Sequence, residues 1–186
     1  MKRIGYLALL SASIAVLSST QGTTVIPPTF DELVAQAEVI FQGNVTNVTS
    51  QWIGEGAQRH IVSYVSFKVE DALKGSPGET YTIRMFGGTV EDETMEVSDA
   101  PKFKVGDKEI LFVENNGSQV IPLVGMMHGR FHLRRDHGQE VITTSEGEPV
   151  RNVARLGRET ADSSSDTILT PADFKAAVKS KLQVTQ

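Results

Sequence analysis

The chain has 186 residues, 18 Lys plus Arg against 23 Asp plus Glu, and no cysteine. That length suits one packed domain with a tail and leaves little room for a second catalytic domain. A formal net charge of −5 removes the long-range attraction on which nucleic-acid and peripheral membrane binding rely, so neither partner is expected.

Lys2 and Arg3 precede an apolar stretch, Ile4 to Leu17, which ends in the small polar run Ser18, Ser19, Thr20, Gln21, Gly22. This is the pattern of a secretory signal peptide over 1–22, cut after Gly22. The stretch is shorter than the roughly 20 apolar residues that cross a bilayer, so no membrane span is expected. Loss of Lys2 and Arg3 makes the mature chain more acidic still. An oxidising compartment permits disulfides, and this chain uses none, so its stability must come from packing. The expected location is secreted or periplasmic, and the pattern fits a bacterial envelope or exported protein.

An extended leader, 23–28, leads into a capping box in which Thr29 and Glu32 serve each other's backbone, with Phe30, Leu33, Val34 and Ala37 on one face of a short helix. Val39 to Val48 then reads as a long strand bent at Gly43. Ile61 to Glu70 alternates cleanly and predicts a strand with one buried face, followed by a helical turn over 71–75. Ser76-Pro77-Gly78-Glu79 has the residues of a type II turn, and Tyr81 to Phe86 reads as the next strand. Gly87-Gly88 opens a polar loop carrying Glu91, Asp92, Glu93, Glu96 and Asp99. Strands are expected at 109–114, 120–124, 130–134, 140–144 and 149–153, with Asn115-Asn116-Gly117 as a hairpin turn.

Regularly spaced short strands predict a mostly β fold, an antiparallel OB-like barrel over 29–156 with a short N-terminal helix and a C-terminal helix. The serine-rich stretch within 157–169 has little to bury and reads as a flexible linker. Thr170 as cap, Pro171 at the first helical position and the stripe Phe174, Ala177, Val178, Leu182 predict a terminal helix over 170–183, docked on the barrel.

Three stretches carry a resemblance: Ala37 to Val45, with its glycine; Val65 to Gly75, ending Leu73-Lys74-Gly75; and Phe103 to Val113, with Gly106-Asp107 before an aliphatic strand. Together they resemble the netrin-like domains and tissue inhibitors of metalloproteases, over about Ala37 to Val124. The resemblance implies an OB-type five-stranded barrel like those of uncharacterised secreted bacterial proteins. In the inhibitors a disulfide-tethered N-terminal cysteine reaches the protease's zinc, and no position here supplies one. No inhibitory residue carries over, and fold alone does not give function.

No cysteine nucleophile, Gly-x-Ser-x-Gly elbow, Ser-x-x-Lys motif, phosphate loop or His-Glu-x-x-His pattern occurs. The expectation is a non-enzymatic binding module without a cofactor, its partner another protein or an envelope component. The alternatives are a netrin-like protease inhibitor and a hydrolase with an unrecognised site. The constellation that carries chemistry is His128-Gly129-Arg130-Phe131-His132-Leu133-Arg134. Alternation puts His128, Arg130, His132 and Arg134 in one row opposite Phe131 and Leu133. Such a row can hold a carboxylate or other anion, or offer two imidazoles to a metal, and it equally reads as the solvent face of a strand. Two histidines make an incomplete zinc site, so no metal ligand is assigned. Trp52, the single tryptophan, is a second contact candidate at the end of the long strand. The acidic loop lacks the spacing of a calcium site and reads as solvated.

Overall fold

The computed structural model describes residues 26–158 and 167–184; the segment expected as a signal peptide, 1–22, and the first residues of the expected leader lie outside them. Helix α1, Phe30–Gln36, starts on the expected capping box: the Thr29 N–H donates to Glu32 Oε2 at 2.8 Å and the Glu32 N–H donates to the Thr29 hydroxyl at 3.3 Å. The Thr29 N–H foremost, and then the Thr29 hydroxyl donating to the same Oε2 at 2.7 Å, hold the Glu32 carboxyl below its ordinary value. Phe30, Leu33 and Val34 turn inward from it.

Eight strands follow: β1 (Val39–Ile53), β2 (His60–Lys74), β3 (Thr80–Phe86), β4 (Gly88–Val90), β5 (Glu93–Met95), β6 (Lys108–Val113), β7 (Arg130–Asp136) and β8 (Gln139–Thr144), before helix α2, Pro171–Val184. Six of them form one antiparallel sheet in the order β3-β2-β1-β6-β7-β8, while β4 and β5 pair only with each other. The fold is therefore mostly β with two helices, as composition and alternation predict. Among the described residues its end strands, β3 and β8, pair with no further strand.

Strand β1 is the spine. Its first half pairs with β2 on one edge and β6 on the other, and three register shifts between Ile40 and Asn47 bend it. At the bend a Cβ on Gly43 would stand 2.7 Å from the Lys68 carbonyl, so the chain needs glycine for the strands to approach. Alternation sends residues to two cores. Ile40, Ile110, Phe112, Phe131 and Ile142 pack under the helices with Phe174 and Val178, whereas Phe41, Phe67, Ile83, Leu111 and Phe103 fill the other face.

Four local expectations are corrected. The helical turn at 71–75 is the end of β2, which stays paired to β1 as far as Ile40 opposite Lys74. Strands at 120–124 and 149–153 shrink to single bridges, Val113 with Leu123 and Thr143 with Pro149, because Pro122 and Pro149 lack the N–H that a ladder needs. The polar loop contains the β4-β5 hairpin. Leu169, placed in the linker by composition, accepts from the Ile142 N–H at 2.9 Å and donates to the Val150 carbonyl at 2.8 Å, so it belongs to the folded unit. Within the expected linker, 157–169, residues 159–166 lie outside the described residues. Helix α2 begins where expected, with Thr170 and Asp173 exchanging bonds, and it buries Phe174 and Val178. The leader is also held: Pro28 sits against Gly125 and Gly157, where added Cβ atoms would collide with it.

The free edge of β3 is covered by a side chain. Asn116 Oδ1 accepts from the Arg84 N–H at 3.0 Å, and Asn116 Nδ2 donates to the Thr82 carbonyl at 2.8 Å. The amide thus imitates a neighbouring strand, and the Phe86 N–H donating to the Val120 carbonyl extends the cover.

Replacing Asn116 with Ala is expected to cost about 1 to 2 kcal/mol in urea unfolding, since it frees both backbone groups; an unchanged midpoint would show the clamp to be idle. Thr29→Ala is expected to cost about 1 kcal/mol. Because the folded-state pKa of Glu32 is lowered, its stabilisation is complete above the ordinary value of 4.5 and is lost as pH falls through the folded value. Glu32→Gln should flatten that part of the acid limb, which urea midpoints at neutral and acid pH will read.

Candidate functional site

The row predicted on β7 is real for two of its members. Arg130 and His132 share a face of β7, opposite Phe131 and Leu133, but that face is not solvent: the two residues are 5 % and 7 % exposed. The loop from 96 to 107 crosses over them. Arg134 lies further along the strand and is exposed, while His128 precedes the strand in a short 3-10 turn, half-buried, with Nδ1 3.9 Å from Glu146 Oε1. Trp52 is elsewhere, at the far end of β1, with the Arg59 guanidinium 4.1 Å from its ring centre. The structure does not bring it to the row.

The residue that sequence reading missed is Glu109. It opens the apolar run of β6, is 0 % exposed and stands directly opposite His132 in the ladder. Arg130 Nη2 donates to Glu109 Oε1 at 2.7 Å and approaches Asp107 Oδ2 at 3.5 Å, while Nη1 donates to the Lys102 carbonyl at 3.0 Å. His132 Nδ1 is 3.1 Å from Glu109 Oε1 and 3.0 Å from Oε2. A carboxylate oxygen accepts, so Nδ1 is the donor in this contact. The guanidinium also lies 4.1 Å over the Phe103 ring, a cation–π contact that seats the loop on the sheet.

Arg130 Nε is buried with no hydrogen-bond partner among the described residues, and Glu109 Oε2 has the charge contact with His132 Nδ1 at 3.0 Å but no hydrogen bond of good geometry. Across β8, Thr143 stands opposite His132, and its buried hydroxyl is likewise unpartnered. The order Glu109, His132, Thr143 invites comparison with a hydrolytic triad. The geometry does not make one, because Thr143 Oγ1 makes no hydrogen bond to the imidazole. Ser145, whose side chain is near the site, donates its proton to the Met127 carbonyl at 2.6 Å. Among the described residues no three His, Asp or Glu side chains are placed to hold a metal ion.

Arg130 and His132 form the floor of an open cleft of about 550 Å³, whose walls include Asp99, Lys102, Lys104, Arg134 and Glu146. Lys102 is paired with Glu96 at 3.1 Å, and both are exposed. Lys104 and Arg134 make no ion pair among the described residues, so two cations at the rim are uncommitted. A second cleft, of about 570 Å³, adjoins the first and lies between the β4-β5 hairpin and the outer face of β1 to β3.

No family model matches this chain, and no match is found among curated proteins. No helix among the described residues is long and apolar enough to cross a membrane.

Removing one member of a buried charge pair leaves the other uncompensated, which typically costs about 3 to 5 kcal/mol. Glu109→Ala should therefore destabilise strongly in denaturant unfolding, whereas Glu109→Leu with Arg130→Met should recover most of the loss. A single variant within about 1 kcal/mol of the parent would show that the pair carries no such burden.

Proposed function

We propose that this chain is an exported, non-enzymatic binding module that acts in the cell envelope or outside the cell. Its first cleft receives an anionic group, carried by a protein partner or an envelope component. The observation that carries this reading is the division of charge at the cleft. The floor is a self-neutralised Arg130, Glu109 and His132 network, and the rim offers Lys104 and Arg134 with no anion of their own. Asp99, Asp107 and Glu146 share the lining, so the cleft is of mixed sign, and Lys104 and Arg134 are the cations left to meet a carboxylate or similar group. Recognition is favoured over turnover because neither hydroxyl near the imidazole is activated by it.

The netrin-like, OB-type relationship remains part of the proposal. It is supported by the motif glycines: Gly75 and Gly106 sit at φ +73° and +94°, which glycine alone adopts without strain, and a Cβ at Gly75 would strike the Glu38 carbonyl. The protease-inhibitor reading gains one observation, the seating of Pro28 on Gly125 and Gly157, which tethers the leader without a disulfide. Seating a proline does not fix the residues before it. Inhibition of a zinc protease is expected to be weak and indifferent to removal of Thr23 and Thr24; nanomolar inhibition that depends on them would put the inhibitor reading first.

A ligand that binds only the folded state raises its melting temperature by mass action. N-acetylglutamate, titrated into the full chain, is expected to do so, with the increment lost in Lys104→Ala/Arg134→Ala and unaffected by zinc. No shift with this ligand, or an equal shift in the double variant, rejects the anion-binding reading. Turnover in a broad hydrolase screen that disappears in His132→Asn would replace it with an enzyme.

A further inference from the structure

The two end strands of the sheet are guarded, and the unguarded edge lies inside it. Asn116 and Val120 bond the outer groups of β3, and on β8 Ile142 and Thr144 bond Leu169, Val150 and Glu148. Strand β1 has 15 residues and its neighbour β6 has 6, so β6 covers β1 only from Val39 to Asn44. Val45 exchanges two further bonds, accepting from the Gly106 N–H at 2.8 Å and donating to the Asp107 carbonyl at 2.9 Å. From Asn47 to Ile53 the strand is paired with β2 alone, and among the described residues no hydrogen bond from another segment reaches its other edge.

The register fixes which groups stand on that edge. Arg84 and Phe86 turn their N–H groups away from β2, toward Asn116 and Val120, so in the alternation of an antiparallel ladder Ile83 and Met85 bond β2. Their partners Val65 and Ser63 therefore face β3, while Tyr64 and Val62 face β1, opposite Thr49 and Gln51. That leaves Val48, Ser50 and Trp52 with N–H and C=O pointing outward. Exposed edges are ordinarily blunted by charge, proline, a bulge or a cover. Residues 47–53 carry no charge and no proline, their pairing with β2 is unbroken, and Asn47, Val48, Thr49 and Gln51 are exposed.

We propose that this edge is a dimer interface, in which two copies of the chain add their β1 strands antiparallel across a twofold axis at Ser50. In that register Val48 stands opposite Trp52 of the partner subunit, and Ser50 opposite Ser50 of the partner subunit, so each outward N–H and C=O meets an outward partner. On the other face Thr49 stands opposite Gln51 of the partner subunit. A second copy is favoured over a foreign strand because the edge is its own complement: its three outward residues are spaced evenly about Ser50. A chain of net charge −5 repels its copies in general, and this stretch is free of that repulsion. The pairing is independent of the anion-binding reading of the first cleft.

The test is sedimentation velocity on the full chain over a concentration series, with urea midpoints measured alongside. A dimer that grows with concentration is expected; a monomer mass persisting at about 1 mM overturns the proposal. Thr49→Lys with Gln51→Lys sets like charges opposite each other across the axis and is expected to weaken the dimer about tenfold or more. Thr49→Lys with Gln51→Glu sets unlike charges opposite each other and is expected to keep it. Both side chains are exposed, so both double variants should fold with midpoints near the parent's. Association untouched by the two lysines runs through another surface and overturns the edge as the interface. Equal weakening in the two double variants overturns the antiparallel register about Ser50.

Discussion

A carboxylate with no access to water is the constraint around which one half of this molecule is arranged. Glu109 is fully buried, and an isolated charge there would cost more than the domain's whole stability. Its compensation comes from Arg130 and His132 of β7, the next strand. Arg130 reaches Glu109, the Lys102 carbonyl and the Phe103 ring at once, so one guanidinium ties sheet to loop. The cleft exists because the loop is held there. A strand pair built from apolar residues alone would have closed over this face, as β1 and β2 do with Phe41 and Phe67 at the other end.

The sheet divides its labour by position. On the helix side the apolar residues of β1, β6, β7 and β8 make a continuous core with Phe174, which contacts the rings of Phe30, Phe112 and Phe131. On the opposite side the apolar core covers β1 to β3 and part of β6, then gives way to Glu109, Arg130, His132 and Thr143. The face that carries this network is thus backed by a packed layer on the other side of the sheet. Side chains placed on strands so supported keep their geometry better than side chains on loops.

Much of the architecture was legible. Thr29 with Glu32, Gly43 within its strand, the alternation from Ile61 to Glu70, and Thr170-Pro171 each act locally, and each appears where chain chemistry puts it. The errors came where a distant partner decided. Residues 71–74 look helical until β1 is laid beside them, and Leu169 looks like linker until β8 supplies its bonds. The site shows the same limit. Spacing of two placed Arg130 and His132 on one face, but only the pairing register says that Glu109 stands across from them. Being joined to Ile110-Leu111-Phe112-Val113, a run with no solvent side, does not single Glu109 out either, since Glu114 at the other end of the same run stays half-buried.

The clamp on β3 has a consequence for the ageing of the chain. Asn116 is followed by Gly117, the neighbour that least obstructs attack by its own backbone nitrogen on the asparagine side-chain carbon. That attack expels ammonia, and water then opens the resulting ring to aspartate or isoaspartate. A carboxylate there has no hydrogen to donate to the Thr82 carbonyl, so the imitation strand is dismantled by a single chemical event. A molecule that has lost the amide presents an open β strand to its neighbours, and deamidation and self-association become successive steps of one process.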